Sequence, residues 1–221
     1  NNMKSHFAHS LTHEVGHQAD LLAANPDLQA PTYSEDNFTT FADYFKGSDG
    51  DLYGVPMEAF LKVYLYRTDL FNDPAIQAAF KAKTGHDLKP ATNHDDYSEI
   101  AHFFTAYGEA NDMDLWGTTA QAHTGHVASW YEYYESIAPT FGVYNGGIDS
   151  DNKYAASVAN GGRMNSAAAK AAMQWWLDMR DIAPPESPAS TWTEVGTTFG
   201  AGRAAQGLVY GENAGWIVAD E

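Results

Sequence analysis

Apolar and polar residues alternate over residues 60–67, FLKVYLYR, where β-branched and aromatic side chains concentrate, and the pattern predicts a strand. Further strands are predicted at AQGLVY (205–210) and around LWGTTAQ (115–121). Elsewhere the apolar period lengthens to that of a helix. Helices are predicted at DPAIQAAFKAKTG (73–85), DDYSEIAHFFTAYGEAN (95–111), GHVASWYEYYESI (125–137) and TWTEVGTTFGAG (191–202). MNSAAAKAAMQWWLDMRD (164–181) carries Met173, Trp176 and Leu177 at i, i+3 and i+4, which predicts an amphipathic helix with those three inward. Near the amino end, Phe7, Leu11, Val15 and Leu22 recur on one stripe from Lys4 to about Ala24, until Asn25 and Pro26 stop it. SEDNFTTFADYF (34–45) reads as a second helix capped by Ser34 or Asp36. Strands interspersed with helices place the chain in the α/β class, with helices packed on a mixed sheet. A chain of 221 residues is read as one α/β unit with a His-rich helix at residues 1–25.

Charge and cysteine content narrow the chemistry. Asp and Glu outnumber Lys and Arg by 29 to 12, a net charge of −17, so the surface repels nucleic acid and attracts cations. The same acidity suits the solvated surface of a halophilic or marine protein. With no cysteine there are neither disulfides nor thiolate sites, and any metal falls to imidazole and carboxylate. The opening NNMKSHFAHS lacks the basic and apolar regions of a signal peptide, and no stretch approaches membrane-spanning length, so no membrane insertion is expected.

Five ordered blocks carry a resemblance: DGDLYGVPMEAFLKVYLYRTDLFNDP, GHDLKPATNHDDYSEIAHFFT, ASWYEYYESIAPTFGVYN, MNSAAAKAAMQWWLDMRDIAPPE and FGAGRAAQGLVYGENAGWI. Together, from about Asp20 to Ile217, they resemble the extracellular solute-binding proteins of ABC transporters, the sugar-binding family. The resemblance implies a periplasmic-binding-protein-like, Venus-flytrap fold, a periplasmic or extracellular location, and a sugar held between stacking aromatics. Positions matching the ligand side are Glu58, Trp130, Tyr131, Tyr144, Tyr210 and Trp216. Sugar rings present apolar C–H faces to aromatic rings, and acidic side chains accept from their hydroxyls. Trp175, Trp176 and Phe199 are assigned to the core instead. Family members carry a signal peptide, a first βαβ portion and a further C-terminal stretch, so the sequence reads as a chain truncated at both ends, and the exposed edges predict a homodimer. His94, Asp95 and Asp96 match a helix N-cap in the family, and His123 and His126, in HTGH, stand where the family has a ligand-side loop.

The amino-terminal helix adds a different chemistry. His6, His9, His13 and His17 fall on one broad face, and HEVGH (13–17) has the HExxH spacing of zincins. One turn, about 6 Å of rise, separates His13 from His17, close enough for both to hold a single Zn²⁺ or another divalent metal. Glu14 then stands beside the metal as general base for its water. His9 and Asp20 lie about 12 and 10 Å of rise from the farther ligand, so a third ligand is expected from another segment or from a second copy of the chain, where His6, His9 or Asp20 would supply it across a dimer. The leading expectation is a zinc-dependent hydrolase of ester, phosphoester or peptide bonds on a solute-binding-protein scaffold, acting on a small-molecule substrate. The alternative is a non-catalytic carbohydrate-binding component of an ABC transporter.

Overall fold

The structure, a computed structural model, describes residues 43, 45–51, 53, 54, 61–148, 159 and 162–217. The chain divides into two compact units, residues 1–59 and 60–221. In the first, the described residues form a turn in which Tyr53 donates its hydroxyl to Asp49 at 2.6 Å and Lys46 pairs with Asp43 at 3.0 Å. The helices predicted at 4–24 and 34–45 lie outside the described residues, apart from Asp43 and Phe45.

The second unit is mixed α and β, mostly helical, with one small sheet among the described residues. Strand β1 (Lys62–Tyr66) pairs antiparallel with β2 (Gln206–Tyr210), in register from Lys62 opposite Tyr210 to Tyr66 opposite Gln206. The expected mixed sheet is therefore a two-stranded antiparallel one in this range. LWGTTAQ does not extend it. Trp116 makes a single parallel bridge to Ala204, and the next residue turns to a helix: the Gly117 N–H donates to Thr105 Oγ1 at 2.8 Å. A Cβ on Gly117 would stand 1.7 Å from the Ala101 carbonyl oxygen, so this close approach admits only glycine.

Helix α1 (Thr68–Asn72) leads into α2 (Pro74–Thr84). Asp73 caps α2 by accepting from the Ala75 and Ile76 N–H groups, Pro74 opens it, and Gly85 closes it at φ 87°. Helix α3 (His94–Ala110) buries Tyr97, Ile100, Ala101, Phe103 and Phe104. Its cap is Asn93, which accepts from the Asp96 N–H at 2.9 Å, in place of the expected His94 to Asp96. A neutral amide meets the first-turn N–H, while Asp96 turns back to accept from Thr92. Phe71, Phe80, Phe103, Phe104, Ile100 and Leu115 form the largest apolar core, with Phe80 edge-on to Phe103 at 4.9 Å.

The predicted 125–137 helix changes winding along its length. It is α-helical over α4 (Ala128–Tyr131), π-wound over Glu132–Ile137 and 3₁₀ over Ala138–Phe141, where Pro139 and left-handed Gly142 end it. Helix α5 (Ala167–Asp181), capped by Ser166, packs through Ala169, Ala172, Trp176 and Met179. The expected stripe through Met173 is thus rotated: Met173 is exposed, and small alanines take the interior so that the helix can approach Tyr133 and Ile137 closely. Helix α6 (Trp192–Gly200) opens on a capping box between Thr191 and Glu194, and α7 (Ala214–Ile217) follows β2.

Candidate functional site

On α4 the polar and apolar sides are reversed relative to a core helix. Val127, Trp130 and Tyr131, at i, i+3 and i+4, face water, Trp130 with 67% and Tyr131 with 43% of its surface exposed. Their positions are fixed by main-chain bonds, since both the Trp130 and Tyr131 N–H groups donate to the Val127 carbonyl at 2.9 and 3.1 Å. The inward side carries Ala128 and the buried acid Glu132.

Trp192, the first residue of α6, completes an aromatic surface. Its ring lies nearly parallel to that of Tyr131, 24° between planes and 6.5 Å between centroids, and meets His126 edge-on at 5.3 Å. His123 lies 5.5 Å from His126. Two main-chain bonds bring α6 to this loop, His123 N–H to the Ser190 carbonyl at 3.0 Å and Thr124 N–H to Pro188 at 2.9 Å. Main-chain partners also sort the two imidazoles. His126 Nδ1 accepts from the Ala128 N–H at 3.1 Å, which leaves the ring proton on Nε2 as a donor. His123 Nδ1 meets the Thr124 carbonyl at 2.9 Å and must donate to it, which in the neutral ring leaves Nε2 as an acceptor. A donor and an acceptor side by side suit a pair of hydroxyls better than a metal, which needs a lone pair from both rings. Among the described residues, no group of three or more His, Asp or Glu is placed to hold a metal ion.

The residues matched by resemblance divide as follows. Trp130 and Tyr131 stand on this surface. Tyr144 is exposed at a turn closed by the Gly147 N–H to the Tyr144 carbonyl, and a Cβ on Gly146 of that turn would touch the Tyr134 ring. Tyr210 is buried: its hydroxyl donates to Glu135 at 2.7 Å, and Lys62 Nζ lies 4.5 Å over its ring. Burial first, then the Glu135 carboxylate, raises its ionisation well above the ordinary tyrosine range. Trp216 falls in α7, and its side chain lies outside what is described. Glu58 and the whole metal proposal, His6, His9, His13, Glu14, His17 and Asp20, lie outside the described residues.

Trp192 was not among the residues singled out from the sequence. Its signal is its place directly after the Thr191 cap, where a helix-starting side chain is free to turn outward. A concavity of about 700 Å³ borders the π-wound turn, lined by Tyr64, His94, Glu135, Ser136, Phe141 and Leu208 among others. There His94 lies against Phe141 and Trp175 and shares a hydrogen bond with Thr140, and burial lowers its proton affinity below the usual histidine range. Among the described residues no helix is long and apolar enough to cross a membrane. In comparison with known proteins, no family model and no curated protein matches this chain.

Proposed function

We propose that the 60–221 unit binds carbohydrate, as part of a solute-binding protein of the periplasmic-binding-protein-like type, working outside the cytoplasm. The observation that carries this reading is the exposed pair Trp130 and Tyr131 beside Trp192, with the His126 donor and His123 acceptor at its edge. Flat, water-facing rings bury the C–H face of a pyranose, and neighbouring polar atoms fix its hydroxyls. Large rings left in water side by side are a feature of binding surfaces. Calorimetric titration with maltose, cellobiose and xylobiose tests it: saturable heat is expected with at least one, weakened about tenfold or more by Trp130→Ala, a loss of about 1.4 kcal/mol. No heat with any of the three, or heat indifferent to both Trp130→Ala and Trp192→Ala, removes the reading.

A second reading rests on the HEVGH spacing in the sequence. In it His13 and His17, with His6, His9 or Asp20 of a second copy, hold a zinc ion, and Glu14 serves as the base of a hydrolase. Bound zinc measured by atomic emission decides it. Stoichiometric metal lost in His13→Ala and His17→Ala, in a dimer by sedimentation, is the expected result; a metal-free monomer ends it.

A further inference from the structure

We propose that Lys62, Gln121 and Glu132 are positioning residues that aim the aromatic surface of α4, an inference that rests on the carbohydrate reading above. The starting observation is an imbalance along one short helix. Its carboxyl half is anchored by apolar packing, Tyr133 and Ile137 lying among Val143, Ala169 and Ala172, with the Tyr133 hydroxyl donating to the Ala169 carbonyl at 2.8 Å. Its amino half, which bears Trp130 and Tyr131, buries only Ala128 and the carboxylate of Glu132. Four α-helical residues do not hold themselves in place, and one methyl group adds little.

A buried polar grip does the holding. Gln121, fully buried, donates through Nε2 to the Ala128 carbonyl at 2.5 Å and accepts through Oε1 from Lys62 Nζ at 3.4 Å. Lys62 also pairs with Glu132, and both side chains are more than nine-tenths buried. Lys62 stands directly opposite Tyr210 in the strand ladder, and the Tyr210 hydroxyl reaches Glu135. Gln121 and the end of the sheet thus grip the helix at residues 128, 132 and 135, while Trp130 and Tyr131 stay exposed. A buried ion pair adds little stability over apolar side chains of equal volume, but it fixes direction, because its bonds are lost when the partners rotate.

That asymmetry separates a positioning role from a merely structural one. The double variant Lys62→Met/Glu132→Leu is expected to melt within a few degrees of the wild type. Its amides at 130 and 131 should nevertheless exchange with deuterium at least tenfold faster, with those of α3 unchanged, and its affinity for whichever disaccharide the wild type binds should fall at least tenfold. Gln121→Glu, which keeps the acceptor for Lys62 but loses the donor to Ala128, should show the same local acceleration, and Lys62→Arg, which keeps a buried cation, should retain most of the protection. If the double variant fails to fold, Gln121→Glu decides alone. Unchanged exchange at 130 and 131 in the variants overturns the proposal. If the wild type binds none of the sugars, the carbohydrate reading fails, and the exchange rates alone still judge the grip.

Discussion

The 60–221 unit contains two regions built on opposite principles. Around α3, Phe71, Phe80, Phe103, Phe104, Ile100 and Leu115 exclude water by apolar contact alone. Between β2 and α4, the buried side chains include Thr118, Gln121, Glu132 and Gln206, tied by directed bonds: Tyr97 to Thr118 at 2.6 Å, Gln206 to the Tyr97 carbonyl at 2.8 Å, and Lys62 to Glu132. The first region supplies stability, and the second supplies orientation, which an interior of interchangeable methyl groups does not specify as tightly. The water-facing aromatics stand over the second region.

The comparison breaks most visibly at Phe104. Phe104→Ala should cost about 3–5 kcal/mol, read as a lowered urea midpoint, because its site is enclosed on all sides and collapses poorly. Lys62→Met alone should cost about 3 kcal/mol by leaving the Glu132 carboxylate buried and unpaired, whereas adding Glu132→Leu recovers most of that loss; single variants as mild as the double one would place the polar region on the same footing as the apolar one. A smaller effect comes from His94. Its folded proton affinity lies below the unfolded value, so the unfolded chain binds more protons and stability falls as pH drops below about 6.5, then levels once the folded ring also protonates. His94→Gln should flatten that slope in urea midpoints measured from pH 5 to 7.5. The smallest effect is at Arg203, which bridges Asp114 at 2.7 Å and Glu186 at the surface. Its guanidinium holds both carboxyls below their ordinary range, so their contribution is present above about pH 4 and fades as pH falls further. Arg203→Met should cost about 1 kcal/mol or less at pH 7 and still less in acid, since water screens the pairs.

Local signals were legible in the sequence where one residue does the work. Asp73 before Pro74, Gly85 after Thr84, and the alternation of 62–66 mark α2 and β1 directly. What joins distant segments was not. β1 meets β2 across more than 130 residues, so the strands were readable and their antiparallel pairing was not. Glu132 reads as a surface acid until Lys62, 70 residues away, is seen beside it. Met173 seemed an inward residue because hydropathy ranks methionine above alanine, whereas close helix packing favoured Ala169 and Ala172. LWGTTAQ has strand-forming composition, but its Gly117 is committed to α3. At the site, Trp130 and Tyr131 came from the family resemblance, and the orientation of His123 and His126 depends on main-chain partners that no spacing encodes.

The π-wound turn at Glu132–Ile137 holds one residue more than an α-helical path over the same distance needs. Deleting a single residue there, for instance Tyr134, would let the turn rewind as α-helix over about the same arc, so that the segment before it would keep its phase relative to Ile137. The surplus residue is therefore a widening confined to one turn, and natural variants that lose it should still present the same surface to solvent.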